Sequence, residues 1–366
     1  LNGLTVLKDY MYNAEKILPL FVLPLVFLFP QRSLVAQDTL RSHNKDSLYV
    51  KPGDADPGYI TKFKRKNVAR VFYGAGDFGL IWGSTNLQNG TTHLKFTSNG
   101  SDFIGVGLGY KFIDFDLSFS LPNTSVIATE REQVTQFQFA MSFTSRMYTT
   151  RAYIMSYRGM IAVSDNNSFQ SAPDIHYARY GAQFTYFLNG EKYSFRAASF
   201  QYELQKITAG SFFLRAEPFY RTVTPGDKFV PDSLDKVAVY GLQTKIDYIR
   251  APGIYCLPGY GINFVRGGGR WYFAPMIFAG PGLAFNSYKG SGGAYNATRV
   301  EWSGLASVNT GFSNARLYAD LNAYVDANYS PLNPSYMLAG RYKIVLSFGW
   351  RFVNLEHFLP ENLIKW

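Results

Sequence analysis

The sequence predicts an all-β protein, a transmembrane antiparallel up-and-down β-barrel of outer-membrane type with about fourteen strands, twelve being the alternative. Three observations predict it: long segments that alternate apolar and polar, a composition rich in aromatics and poor in charge, and an export-like leader. From Arg341 to Phe352, one parity carries Arg341, Lys343, Val345, Ser347, Gly349 and Arg351. The other carries Tyr342, Ile344, Leu346, Phe348, Trp350 and Phe352. Successive side chains of a strand point to opposite faces, so one face here is wholly apolar and the other mainly polar. A soluble sandwich alternates too, but its strands usually run about 5–6 residues, whereas these segments run to about ten or more.

Of the 366 residues, 17% are aromatic and 17% charged, with 27 Tyr, 31 Phe and 33 Gly, and the mean hydropathy is -0.10. Charge is well below the roughly 25% of an ordinary globular chain. A lipid-facing barrel uses such a composition, because closure pairs the backbone polar groups while outward apolar side chains meet hydrocarbon. After residue 30, no apolar run reaches the ~18 residues that a spanning helix needs.

Residues 1–37 carry the marks of a secretory signal peptide, with Met11 a better start than Leu1. Lys16 precedes an apolar stretch from Ile17 to Phe29, and small residues follow from Ser33 to Ala36. Pro19 and Pro24 oppose a stable anchoring helix. Residues 38–67 read as a polar periplasmic arm, broken at Pro52-Gly53 and Pro57-Gly58 and closed by Lys62, Lys64, Arg65 and Lys66. Residues 68–353 read as the barrel and 354–366 as a periplasmic tail.

The candidate strands are 69–82, 102–110, 113–121, 133–144, 147–160, 175–188, 191–204, 209–222, 237–249, 255–266, 270–285, 296–310, 314–328 and 337–353. Short connections such as Ser145-Arg146, Asn189-Gly190 and Gly267 to Gly269 alternate with long ones. The short set and both termini are therefore expected in the periplasm. Two features fit poorly: the long 223–236 segment falls where a short turn is expected, and alternation is weak in 147–160 and 255–285. Pro218, Pro275 and Pro281, inside strands, predict bulges.

Lys192-Tyr193-Ser194-Phe195-Arg196, then Glu203-Leu204-Gln205-Lys206 and Ala209-Gly210-Ser211, resemble an outer-membrane family of Bacteroidota, domain of unknown function 4421. Tyr186 to Asn189 and Pro258-Gly259-Tyr260-Gly261 fit the same pattern. The resemblance covers about residues 60 to 353 and implies an outer-membrane barrel, with no activity, ligand or catalytic residue attached. Asp38-Thr39-Leu40, Asp46-Ser47-Leu48 and Asp232-Ser233-Leu234 are similar to the O-glycosylation acceptor pattern of that phylum.

Catalysis has little to build on. His43 lies in the arm, His93 in a long loop, His176 at a strand start near the outer rim and His357 in the tail. Two positions beyond His176, where a same-face nucleophile would stand, the residue is Ala178; beyond His93 it is Lys95. Asp114 and Asp116 read as lumen lining rather than an acid–base pair. Gly267 to Gly269 lacks a following Lys-Ser/Thr and reads as a turn. A single Cys256, with no His pair at ligand spacing, argues against disulfides and metal sites. No enzyme, metal or cofactor is expected, and export argues against nucleic acid despite the net charge of +10.

The lumen carries more information. Inward positions hold Arg179, Arg196, Arg215, Glu217, Arg221, Arg299, Glu301, Arg316, Asp320, Asp326, Arg341, Lys343 and Arg351. The first expectation is a channel or transport barrel in the outer membrane of a Gram-negative cell, its basic lumen favouring a small anionic solute and occluded by residues 38–67. The second is a structural or interaction barrel that docks a periplasmic protein. The third is an outer-membrane enzyme.

Overall fold

The computed structural model describes residues 55–352, apart from 64–66, 87–89, 99–100, 111–112, 122–123, 125–134, 164–168, 172–174, 226–245, 291–292 and 333–334. The leader 1–37, arm residues 38–54, the tail 354–366, His43, His357 and the three Asp-Ser/Thr-Leu tripeptides lie outside the described residues.

Twelve strands close the barrel. They are β2 (Asn67–Asn86), β4 (Ser101–Tyr110), β5 (Ile113–Ser120), β6 (Thr135–Thr144), β7 (Tyr148–Arg158), β10 (His176–Phe187), β12 (Ala209–Thr224), β13 (Ile246–Arg266), β14 (Trp271–Gly290), β15 (Gly293–Ser313), β16 (Leu317–Pro331) and β17 (Ser335–Phe352). Neighbours in this order pair antiparallel, and β17 returns to β2 from Phe352↔Asn67 to Ser335↔Ser84. The short β3 (Gly90–Thr97), β8 (Ile161–Val163) and β9 (Phe169–Ser171) extend the sheet from the distal half of β2. Short turns at 145–147, 267–270 and 314–316 gather at one end with Asn67 and Phe352. This is called the turn end, and the opposite one the loop end.

Fourteen strands become twelve for two reasons. The segment 191–204 is not a strand, and the expected pair 237–249 and 255–266 is one strand, β13, over its described part. With 191–204 removed from the wall, the long stretch after β12 falls at the loop end, which removes the earlier misfit. The expected bulges at Pro218, Pro275 and Pro281 are absent, since those residues pair in register with Ile254, Val308 and Trp302. Pro218 and Pro281 stay in the ladder with their rings on the exposed outer face.

The outer wall is apolar around the ring. Val71, Val106, Phe119, Phe137, Phe184, Leu214, Ile254, Ile277, Val300, Val325 and Leu346 are all exposed, each on a different strand. Water would not solvate such a belt; hydrocarbon does. Rings stack towards both ends, Phe143–Tyr148–Phe184 and Trp271–Phe312 near the turn end, Tyr288–Tyr295 and Tyr329–Tyr336 near the loop end. This is the girdle arrangement of membrane-spanning barrels.

Residues 188–208, between β10 and β12, form an insert at the turn end. It holds one short helix, α1 (Phe195–Ser199), whose Ser194 Oγ caps it by accepting from the Ala197 N–H at 3.0 Å. A strand β11 (Glu203–Gln205) follows and pairs with β1 (Ile60–Lys62), the described piece of the arm. Tyr193, Phe195 and Ala198 are buried against Phe187 and Phe213 of the wall.

Candidate functional site

The site is the barrel interior, in three levels. At the loop end, Phe78 of β2 stacks on Tyr157 of β7 and contacts Tyr177 of β10, with ring centroids 4.4 Å apart in both cases. β2 and β10 are five places apart in a ring of twelve, so these rings meet across almost the full diameter. Leu80, Trp82, Leu94, Phe96, Met160, Ile175, Val223, Ile249 and Met337 join the same buried cluster, closing this level. Just inside it, Arg221 bonds Glu301 at 2.9 Å and Ser330 at 2.9 Å, while the Tyr255 hydroxyl donates to Glu301 at 2.7 Å.

At the turn end the insert fills the lumen and is tied to the wall on several sides. The Arg351 guanidinium donates to the Gln201 carbonyl and, from the rim, to the Asn314 and Leu317 carbonyls and Ser313 Oγ. Asn309 of β15 donates to the Ala198 carbonyl at 2.9 Å. The Tyr202 hydroxyl donates to Asp114 of β5, which also pairs with Arg70 at 2.6 Å. Glu203 accepts from Arg146 at 2.8 Å and from Ser194 Oγ at 2.7 Å. The turn Gly267–Gly269 presses on the insert: a Cβ at Gly269 would sit 2.1 Å from the Gln205 carbonyl, and its φ of +91° also calls for glycine. Burial pushes the Tyr193 phenol well above its ordinary range, and burial followed by the nearby Asp114 charge does the same to Tyr202.

Between these closures lies a cavity of about 320 Å³. Its wall carries Arg179–Glu217 at 2.7 Å, Arg341–Asp326 at 2.5 Å and Arg70–Asp116 at 2.5 Å. Contacts reach over the lumen here too, with Lys343 of β17 donating to Gln138 of β6.

The candidate lining residues separate into groups. Arg179, Arg215, Glu217, Asp320, Asp326, Arg341 and Lys343 line the cavity. Arg221 and Glu301 lie buried beyond it towards the loop end, and Arg351 is buried against the insert. Arg299 is half-buried on the inward parity of β15. Two positions differ from the reading. Arg196 sits on α1, because 191–204 is the insert and not a strand, and it faces Glu203 at 3.7 Å. Arg316 is exposed in the turn that precedes β16, one residue short of the strand that would have aimed it inward.

The reading missed Arg70, Arg146, Arg151 and the insert itself. Arg70 shares its parity with Phe72, Gly74 and Phe78 on β2, which was the available signal. The expected plug, residues 38–67, contributes within its described part only β1 and its flanks, beside the insert that does the filling. The sequences carrying the family resemblance are the insert and its seat. Gly259 and Gly261 leave room for the Phe278 and Phe213 rings, on which the insert's apolar side rests.

Among the described residues one His–Ser pair is formed: Ser156 Oγ lies 2.9 Å from His176 Nε2. Both side chains share the parity of the exposed Tyr180 on the outer face, away from the lumen. No carboxylate orients the ring among the described contacts, so the arrangement lacks the third member of a nucleophilic relay. Among the described residues no group of His, Cys, Asp and Glu could hold a metal.

Among solved structures, the outer membrane protease OmpT from Escherichia coli is 8% identical, covers 80% of this chain and 99% of its own, and has a TM-score of 0.37. The toluene transporter TodX of P. putida is 10% identical, with 79% and 91% covered and a TM-score of 0.30. The fold stands on the strand order and closing ladder above, not on these likenesses. No curated protein matches the chain. A family model matches residues 54–352, and the chain belongs to that family, domain of unknown function 4421.

Proposed function

We propose that this chain is an outer-membrane barrel closed at rest, a lipid-anchored structural or interaction platform whose working face is the turn end in the periplasm. The observation that carries this reading is the filling of the lumen at two levels, by rings that meet across the diameter and by the insert. A standing pore needs a continuous aqueous path, and side chains in van der Waals contact across the bore leave none. At the mouth, Thr61 and Lys62 of the arm strand β1 and Lys206 after β11 are exposed, a surface suited to a periplasmic protein. The reading assigns no enzymatic role.

A gated conduit is the second reading, favoured by one observation: a polar cavity of about 320 Å³ between the two closures. The insert would then be a plug held by hydrogen bonds and ion pairs rather than by continuous sheet.

Single-channel recording in a planar bilayer tests both. Full-length refolded chain is expected to be silent, and steady conductance from it would overturn the closed-platform reading. Replacing 191–206 by a short Gly-Ser link is expected to leave the barrel silent if the loop-end cluster alone seals it. Conductance from that variant, biased to anions, would move the choice to the gated conduit.

A further inference from the structure

The cavity wall carries Arg70, Arg151, Arg179, Arg215, Arg341 and Lys343 against Asp116, Glu217, Asp320 and Asp326. Three of the cations are matched to carboxylates: Arg70, Arg179 and Arg341. The other three are not. Arg215 is buried, only 6% exposed, yet its protein acceptor among the described residues is the neutral Thr185 Oγ1, met by Nε at 2.9 Å. Its guanidinium carbon sits over Phe278, 3.8 Å from the ring centroid. Lys343 donates to the neutral Gln138 amide and sits 5.2 Å from the Phe103 centroid. Arg151 shares the inward parity of Tyr153, is exposed into the cavity, and makes no ion pair with a described residue.

These three sit together. Arg151 is an electrostatic neighbour of both Arg215 and Lys343; Glu217 also acts on Arg215, and Asp326 and Asp116 on Lys343, but neither cation makes an ion pair among the described residues. Arg179 adds a further donor: its Nη2 serves Glu217, while its buried Nε meets no acceptor among the described residues. A buried cation without a counter-charge costs several kcal/mol in desolvation unless something neutralises it. In this chamber the carboxylates that act on Arg215 and Lys343, Glu217, Asp116 and Asp326, are each already paired with another cation, Arg179, Arg70 and Arg341.

We infer that the chamber between the two filled levels is a binding site for one small oxyanion-bearing solute, a carboxylate or a phosphate, held between Arg151, Arg215 and Lys343. The guanidinium forks match the two oxygens of either group, and Lys343 adds a point charge. The Phe278 and Phe103 rings brace Arg215 and Lys343, and each head spends one described donor bond on a neutral protein group, Thr185 and Gln138. A chamber of about 320 Å³ is at the small end of ligand sites and admits a compact solute. Occupancy is independent of conductance: a sealed platform and a gated conduit can each hold the anion.

Labelled inorganic phosphate and labelled succinate are the probes. The full-length chain is refolded in zwitterionic detergent with each probe present, so that the closed chamber is loaded during folding, and retained label is counted after desalting. Near-stoichiometric retention of at least one probe is expected, and the probe retained tells phosphate from carboxylate. Arg151→Gln and Lys343→Gln should each weaken retention about tenfold, the loss of one charged hydrogen bond. Arg299→Gln, towards the loop end and outside the chamber wall, should leave it unchanged. Folding of each variant is read from heat-modifiable gel migration, and Arg215→Lys serves if Arg215→Gln does not fold. No retention of either probe by folded wild type would overturn the inference, as would equal retention by wild type, R151Q and K343Q.

Discussion

Arg351→Met is expected to release the insert from the turn end while the barrel itself remains closed. Arg351 is fully buried and joins three parts of the molecule: the Gln201 carbonyl in the insert, the Ser313–Leu317 rim and its own strand β17. Met keeps most of the stem's volume and loses every donor. A hydrogen bond to a charged group contributes about 1.5–3 kcal/mol, and a buried carbonyl left without its donor costs about 1–3 kcal/mol. Gln201 adds to the sensitivity, because it is the one described non-glycine residue at positive φ, 58°, and the contact to Arg351 helps hold it there. The docking of the insert should therefore weaken by about 3–4 kcal/mol, which raises its open population by about 10²–10³. Limited trypsin digestion of folded protein in detergent reads this out, since Lys192, Arg196 and Lys206 all lie in the insert. When opening is fast relative to cleavage, the cutting rate follows the open population. R351M should be cut in the insert at least a hundredfold faster than wild type or R299M, with heat-modifiable migration retained. Equal rates within about threefold, in protein shown to be folded, would refute the idea that Arg351 holds the insert.

Three further outcomes follow from the same contacts. Alkaline pH should loosen the insert: the raised Tyr193 and Tyr202 phenols contribute stability that is complete below the ordinary phenol value of about 10 and declines as pH climbs past it, so insert cleavage by an alkali-tolerant protease should accelerate above pH ~10 and do so less steeply in Tyr202→Phe. Arg221→Met should destabilise the folded barrel by about 3–5 kcal/mol by leaving Glu301 buried and unmatched, measured by urea titration in lipid vesicles, whereas Arg221→Met combined with Glu301→Gln should recover much of that loss. Leu346→Arg, on the exposed outer face in the middle of β17, should lower stability in lipid by about 2–4 kcal/mol if that face meets hydrocarbon near the bilayer centre, while Leu346→Ile should change little in the same titration.

Alternation made the wall legible wherever the two faces meet different media. β5, β6, β16 and β17 read cleanly because lipid lies on one side and a polar chamber on the other, and Asp116, Gln138, Asp326 and Lys343 all reach that chamber. The insert was illegible for a local reason. Tyr193 and Phe195 fall on one parity like a strand's outer face, and only the Ser194 cap and the small Ala197-Ala198 pair betray a helical turn. Arg196 was placed in the lumen wall through the same misreading. The ties that seat the insert join residues as far apart in the chain as Gln201 and Arg351, and no short-range pattern encodes such a contact.

The stretches where alternation failed have a common cause. On β7 the inward residues are Tyr153, Met155 and Tyr157, and on β14 they are Tyr272, Ala274, Met276 and Phe278. An inward face becomes apolar when it packs against other side chains instead of water, and the period-of-two contrast then disappears although the strand remains. Weak alternation in 147–160 and 255–285 therefore marks the side of the barrel where the lumen is filled. The strongly alternating strands border the space that is left. The interior is consequently lopsided: rings and insert on the β7 and β12–β14 side, a polar recess on the β5, β6, β16 and β17 side. Arg151 and Arg215 project from the packed side, and Lys343 faces them from the polar one. Cations placed on both walls of a closed recess would repel one another across low-dielectric space, a standing cost that a wider lumen would relieve with water and salt. On the inference drawn above, one anion bound in so small a chamber offsets that cost for all three, so the packing that closes the barrel is also what would let a single anion serve them together.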